Sequence, residues 1–180
     1  READYCEEVV GTSRRQSHLE QAVSLGVIDR YELDVRRAVQ GADMVVLCVP
    51  LGAMTAVMRA LKGALAPTAV LTDGGSAKGS VIASAREAFG ELPSNFVPAH
   101  PVAGTEQSGV GASFASLYRD RRVIITPPEG ANPEAVARVD AMWSATGAKV
   151  EHMDPEHHDR VLAATSHLPH LLAYNLVDVL

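Results

Sequence analysis

The chain has 180 residues, of which 47% are hydrophobic, 21% charged and 4% aromatic. This composition is typical of a soluble α/β protein, and the length predicts one domain, or one domain with part of a second. The net charge of −6 argues against nucleic acid or an anionic membrane as a partner. Two cysteines are too few for a disulfide framework, and no apolar stretch is long enough to span a membrane, so we predict a cytoplasmic protein.

Both ends of the chain are interpreted as cuts within a longer protein. The sequence starts at Arg1 without an initiator Met, and it stops at Leu180 inside an apolar helical pattern. We therefore expect a first strand with a Gly-rich turn before the chain, and further helices after it.

Short apolar segments alternate with polar turns and helical segments through residue 152. This alternation is typical of a Rossmann-like, doubly wound and mostly parallel α/β sheet. The predicted strands are 7–12, 44–49, 69–72, 96–99, 122–126 and 149–152. The predicted helices are one that carries Leu19, Ala22 and Val23 on a single face, and those at about 53–65, 78–89 and 133–146.

Two local predictions accompany this pattern. Ser17 is interpreted as the N-cap of the first helix, with Glu20 three residues later completing a capping box. Cys48 lies in an apolar run and is interpreted as a small buried side chain.

The character of the sequence changes at Pro155, after which it reads as helix almost to the end, with Pro169 as a kink or break. We predict a Rossmann-like nucleotide-binding domain over residues 1–152, which lacks its N-terminal strand and Gly-rich turn. Residues 153–180 would be the truncated start of an all-helical domain.

Ligands in open α/β sheets bind beyond the carboxyl ends of the strands. Ser13, Arg14 and Arg15 follow the first strand, where an acidic residue would often bind the cofactor ribose. A hydroxyl and two guanidinium groups suit a 2′-phosphate better, which favours NADP modestly over NAD. A solvated basic turn is an equally good interpretation of these residues. Pro50, after the second strand, is a further cofactor-binding candidate.

The segment around Gly75 and Ser76 connects the third strand to a helix. Its backbone N–H groups and the Ser76 hydroxyl are candidates for contact with a ligand, and the helix dipole would attract negative charge. Taken alone, a tight turn with Ser76 as N-cap explains the same residues better.

His100 is the leading catalytic candidate. It follows the 96–99 strand and precedes Pro101, so its imidazole would be placed to accept or polarise a hydroxyl proton near neutral pH. Such a role needs partners, and His167 and His170 are three residues apart in a helical segment.

The histidines also raise the question of a metal site that includes His157 and His158. We disfavour it because the sequence has no His-Glu-x-x-His pattern, no carboxylate at ligand spacing from the His167 and His170 pair, and no nearby cysteine. Catalytic or substrate-binding histidines are the better interpretation.

Three blocks, read together, resemble the prephenate/arogenate (cyclohexadienyl) dehydrogenase family of tyrosine biosynthesis: TDGGSAKG at 72–79, HPVAGTEQSG at 100–109 and SHLPH at 166–170. The resemblance implies an NAD(P)-dependent oxidative decarboxylation of prephenate to 4-hydroxyphenylpyruvate, or of arogenate to tyrosine. It also implies a homodimer formed through a C-terminal helical domain that lies outside the sequence, together with an arginine for a substrate carboxylate.

The resemblance assigns roles residue by residue. The His matching His100 hydrogen-bonds the ring hydroxyl, and the Ser matching Ser76 supports that His and the nicotinamide region. The Glu matching Glu106 lies at the substrate mouth, and the His matching His170 lines the substrate pocket. We add His167 as a substrate-binding candidate.

Two alternatives fit the same residues. One is another Rossmann dehydrogenase acting on a β-hydroxy acid, which would be expected to use a lysine base. The other is a non-catalytic module that senses the nicotinamide pool.

Overall fold

The structure is a computed structural model, and it describes residues 5–179. Its strands are β1 (Val10–Thr12), β2 (Arg30–Glu32), β3 (Met44–Leu47), β4 (Val70–Asp73), β5 (Ala99–Pro101), β6 (Arg122–Ile125) and β7 (Lys149–His152). Its helices are α1 (Gln16–Ser24), α2 (Val35–Ala38), α3 (Met54–Leu61), α4 (Lys78–Phe89), α5 (Pro133–Ala145), α6 (Pro155–Leu162) and α7 (Leu168–Val179).

Parallel strand pairs dominate the fold, as the alternating pattern predicts. β1 pairs with β2, β3 with β4, and β6 with β7, all in parallel. In the β3–β4 ladder Leu47 lies opposite Asp73, so the carboxyl ends of these strands meet at one edge. The α/β, Rossmann-like fold class is confirmed.

One pairing departs from the parallel pattern and changes the setting of His100. The predicted 96–99 strand is divided: Phe96 forms an isolated parallel bridge with Leu71, and only from Ala99 does β5 pair with β6, in the antiparallel direction. His100 therefore lies inside a strand, opposite Ile124, and not beyond its end. The ladder with β6 fixes the backbone of His100 and of the residues before and after it, Ala99 and Pro101.

Two apolar clusters hold the sheets and helices together. Burial of such surface contributes roughly 25 cal/mol per Å². The first cluster packs α3 and α4 against β3 and β4, with Met54, Met58 and Leu61 of α3 fully buried. The second places Val139 and Trp143 of α5 against the strands that flank His100.

Two local predictions about the first 50 residues are wrong. α1 begins at Gln16 with Arg15 as N-cap and no side-chain cap, so Ser17 and Glu20 form no capping box. Glu20 instead accepts a hydrogen bond of 2.8 Å from the Gln16 amide, one turn earlier. Cys48 is exposed, because β3 is covered less fully than its apolar sequence suggests. β2 and α2 are not predicted from the sequence, because both are short and rich in polar residues.

The C-terminal part begins as predicted at Pro155. Asp154 caps α6 by accepting hydrogen bonds from the N–H groups of Glu156 and His157. The helix does not break at Pro169: a π-helical segment over Ala163–His167 precedes it, and α7 continues through it. A wider turn accommodates the proline, which lacks an N–H and crowds the carbonyl four residues earlier. The side chains of α7 are exposed.

Candidate active site

A buried ion pair lies directly behind His100. β4 ends at Asp73 and α4 begins at Lys78, and Nζ of Lys78 lies 2.6 Å from Oδ2 of Asp73, with both side chains fully buried. Nζ also donates to the Ala99 carbonyl at 2.6 Å, while Oδ1 of Asp73 accepts from the Ala99 N–H at 3.2 Å. The pair thus binds both backbone polar groups of the residue before His100.

Burial raises the pKa of Asp73 and lowers that of Lys78, and the attraction between the two charges opposes both shifts. Each charge therefore depends on the other to remain ionised. Removing one partner would leave the other unpaired in a low-dielectric interior, which is expensive.

Gly75 completes this arrangement. Its N–H donates to Oδ2 of Asp73 at 2.7 Å. A side chain at this position would place its Cβ 2.9 Å from that oxygen and 3.1 Å from both Leu51 and Val81. The N–H of Gly75, predicted as a ligand donor, is already used inside the protein.

His100 heads a chain of three hydrogen-bonded side chains. Its Nδ1 lies 2.9 Å from Nε2 of His158, and Nδ1 of His158 lies 2.8 Å from Oδ1 of Asp159. The two rings are packed edge to face, with centroids 5.1 Å apart. His158 is fully buried and His100 is 8% exposed, so the middle of this hydrogen-bond chain is shielded from solvent, whereas the Asp159 side chain at its far end is 35% exposed.

Asp159 also caps α4. Its two oxygens accept hydrogen bonds of 2.8 Å from the N–H groups of Lys78 and Gly79. The predicted N-cap, Ser76, lies before the N-cap position, which Ala77 occupies without a side-chain bond. The anion-binding capacity of this helix terminus is therefore used by Asp159, which belongs to α6.

The electrostatic setting keeps His100 neutral near pH 7. Burial lowers the pKa of His100 to about 4, and positive charge on His158, Lys78 or His167 would act in the same direction, against the opposing effect of Asp159. Burial acts to raise the pKa of Asp159, but hydrogen bonds from Gly79, Lys78 and His158 outweigh it and bring the pKa below its usual value. Neutral His100 is thus a hydrogen-bond acceptor available for chemistry.

The predicted histidine partners occupy the helix that follows. His167 ends the π-helical segment and lies close enough for its charge to affect His100. His170 is exposed, and its Nδ1 donates to the Ser166 carbonyl at 2.8 Å. The partner that contacts His100 directly is His158, which the sequence analysis considered only as a metal ligand.

The remaining predicted residues are exposed. Arg15 and Pro50 line a cleft of about 1040 Å³, together with Cys48 and Gln107. Ser13 and Arg14 lie on the turn between β1 and α1, and Ser76 and Glu106 are also exposed. Arg15 gives this cleft a cationic group, which fits an anionic dinucleotide.

Comparison with known proteins decides the family. Residues 1–152 match the family model described as the prephenate dehydrogenase nucleotide-binding domain, and residues 154–180 match the prephenate dehydrogenase dimerization domain. The chain belongs to the prephenate dehydrogenase family. The family resemblance predicted from the three sequence blocks is confirmed.

Relatives of this family are similar along almost the whole chain. A cyclohexadienyl dehydrogenase from Zymomonas mobilis is 40% identical over 178 residues, which is 97% of this chain and 60% of that protein. The crystal structure of prephenate dehydrogenase from Aquifex aeolicus is 33% identical, with a TM-score of 0.92, over 100% of this chain and 64% of that one. The same enzyme in complex with hydroxyphenyl propionate and NAD⁺ gives a TM-score of 0.91 at 33% identity, over 100% of this chain and 62% of that one.

The chain thus spans less than two thirds of the length of these prephenate dehydrogenase relatives. Among residues 5–179, no helix is long and apolar enough to cross a membrane. Over the same range, no group of three or more His, Cys, Asp or Glu side chains is arranged to hold a metal ion.

Proposed function

We propose that this chain is the nucleotide-binding part of an enzyme that catalyses NAD(P)-dependent oxidative decarboxylation in tyrosine biosynthesis. The substrate would be prephenate, giving 4-hydroxyphenylpyruvate, or arogenate, giving tyrosine. Membership of the prephenate dehydrogenase family supports the reaction class. The observation that carries the proposal is a neutral histidine, His100, whose Nδ1 is engaged by His158 while no bond to Nε2 is found among the described residues.

Nε2 of His100 performs the proton chemistry in this proposal. It accepts a hydrogen bond from the ring hydroxyl of the substrate, and it takes that proton as the carbonyl forms. The bound nicotinamide supplies the acceptor for the hydride that leaves the same carbon. Loss of carbon dioxide then breaks the bond to the ring carboxylate and leaves its electron pair to aromatise the ring.

Four exposed residues would position the substrate and support the catalytic His100. We assign Ser76 to support of His100 and the nicotinamide region, Glu106 to the substrate mouth, and His170 and His167 to the pocket wall. Their exposure is consistent with these roles, because a side chain that binds a ligand must be accessible in the free protein.

The cofactor would occupy the cleft that Arg15 and Pro50 line. We assign Ser13, Arg14 and Arg15 to the adenosine ribose, where a hydroxyl and guanidinium groups suit the 2′-phosphate of NADP. Gly75 would contribute by its small size near the nicotinamide side, since its N–H is bound to Asp73. NAD remains the alternative, and a related Aquifex aeolicus structure carries NAD⁺.

We also propose the organisation of the whole enzyme. Residues 1–152 would form the nucleotide-binding domain and residues 153–180 the start of a helical domain that pairs two copies in a homodimer. The dimerization-domain match over residues 154–180 supports this arrangement. We place the enzyme in the cytoplasm, with no nucleic acid or membrane partner.

The test is an assay of the intact enzyme with prephenate and with arogenate, following formation of reduced nicotinamide. His100→Asn should lower kcat about 100- to 10,000-fold, the usual contribution of a general base, while cofactor affinity stays the same. His157→Asn, a change at an exposed histidine on α6, is the matched control and should retain activity. Absence of turnover with both substrates would overturn the proposed reaction, and full activity of His100→Asn would overturn the role of His100.

A further inference from the structure

We propose that His158 and Asp159 are positioning residues which hold His100 in the tautomer with its proton on Nδ1, leaving the Nε2 lone pair free. The proposal rests on the proposed function only in one respect, that the Nε2 lone pair accepts the proton of the substrate hydroxyl. The hydrogen-bond chain from Asp159 through His158 to His100 carries it, with both links shorter than 3 Å.

The direction of the chain is set at Asp159. The carboxylate already accepts the N–H groups of Lys78 and Gly79, and these bonds favour its ionised form. An ionised carboxylate can only accept hydrogen bonds. The link of 2.8 Å therefore requires the proton to lie on Nδ1 of His158.

The second link follows from the first. A His158 ring that holds a single proton, on Nδ1, has a lone pair on Nε2, so it accepts from His100 at 2.9 Å. The donor must be Nδ1–H of His100. Because His100 is neutral near pH 7, its other nitrogen carries no proton.

The reverse arrangement would disable the site. If a singly protonated His158 donated from Nε2 to His100, its bare Nδ1 would face the Asp159 carboxylate, with no proton between them. His100 would then carry its proton on Nε2 and would present a donor where the substrate hydroxyl needs an acceptor. The fixed charge of Asp159 selects between the two arrangements.

His100 and the residues that set its tautomer lie in segments that match two different family models. His100 lies in the segment that matches the nucleotide-binding domain, whereas His158 and Asp159 lie in the segment that matches the dimerization domain. Docking of α6 on α4, which the Asp159 cap fixes, therefore sets the protonation pattern of His100.

The first test is the ¹⁵N spectrum of the histidine rings in the intact wild-type enzyme at pH 7. The His100 ring is assigned as the signal set that disappears in His100→Asn. We expect a protonated Nδ1 and an unprotonated Nε2 for His100. A protonated Nε2 would overturn the proposal, whatever the enzyme turns over, so this outcome is distinct from failure of the proposed function.

The second test uses variants of His158. His158→Leu removes the acceptor, so a proton on Nδ1 of His100 would be buried without a partner. We expect the proton to move to Nε2 and kcat to fall about 100-fold with little change in cofactor KM. In His158→Gln the amide turns its NH₂ toward Asp159 and its oxygen toward His100, which should restore the Nδ1–H tautomer and most of the activity.

His157→Gln is the control for these variants. His157 is exposed on the same turn of α6 and takes no part in the hydrogen bonds that join Asp159, His158 and His100. It should leave both the ¹⁵N pattern and kcat unchanged. Equal tautomer populations in His158→Leu and His158→Gln would overturn the role of His158. Wild-type kcat in His158→Leu would overturn it as well.

Discussion

The side chains behind His100 differ from those around the cleft in where their partners come from. Asp73, Lys78 and His158 are fully buried, and each is bound by a neighbour within the protein. Arg14 and Glu106 are exposed on turns. The inner group is completed by the fold itself, whereas the outer group would be completed by a ligand. Substitutions in the inner group should therefore lower the stability of the fold, and substitutions in the outer group should change ligand binding.

The largest expected effect comes from breaking the buried ion pair. Lys78→Met leaves Asp73 buried beside an apolar chain, and it should lower the free energy of unfolding by about 3–5 kcal/mol. Urea denaturation measures this. Lys149→Met is the matched control, because the Lys149–Asp120 pair is 66% and 76% exposed and should contribute under about 1 kcal/mol. Similar losses of unfolding free energy in the two variants would contradict the expected difference between the buried and the exposed ion pair.

A smaller effect on the free energy of unfolding is expected when the pH is lowered, because His100 is buried in its neutral form. Its folded pKa of about 4 lies below the ordinary value of 6.5, so between these pH values the unfolded chain binds more protons. The contribution of neutral His100 to the stability of the folded protein is fully present above pH 6.5, and it is lost as the pH falls toward 4. The free energy of unfolding should drop by about 2 kcal/mol from pH 7 to pH 5 through this group.

Denaturation of wild type and His100→Asn at pH 7 and pH 5 isolates that part of the pH dependence. The variant should lose it, and His157→Asn should retain it. An unchanged slope in His100→Asn would show that His100 does not remain neutral over this range.

At the cleft, the basic turn tests cofactor choice. Ser13→Asp combined with Arg14→Ala should shift the ratio of kcat/KM toward NAD by about tenfold, equivalent to about 1.4 kcal/mol. The acid would bind the ribose hydroxyls and repel a 2′-phosphate. Stability should not change. An unchanged NADP preference would show that this turn is simply a solvated surface.

The smallest effect on stability is expected at Glu106. Glu106→Gln removes an exposed charge, so the free energy of unfolding should stay within about 0.5 kcal/mol of wild type. If Glu106 lies at the substrate mouth, KM for the substrate should change while cofactor KM does not. Steady-state kinetics and denaturation on the same sample separate the two outcomes.

Local sequence patterns predicted much of the fold. The bounds of α4 and β7 agree with the sequence analysis because α4 has a clear helical period and β7 has a turn on each side. β2 and α2 were missed because elements of three and four residues carry too little periodicity.

The site was predictable only in part. His100 stands out by its position in a specific block, but its partner His158 is 58 residues away and Asp159 caps a helix 80 residues away. Nothing local in the sequence marks such long-range hydrogen bonds. Ser76 was misplaced as an N-cap for the same reason, since the cap of α4 comes from another helix.

The π-helical segment Ala163–His167 also sets the direction in which the last histidines point. In a regular α-helix each residue turns by about 100°, so His158 and His170, twelve residues apart, would differ in direction by about 120°. A single wide turn absorbs one extra residue and reduces that difference to about 20°. The wide turn therefore acts as a one-residue phase shift between α6 and α7, so that residues twelve apart across it lie at nearly the same angle around the helix axis.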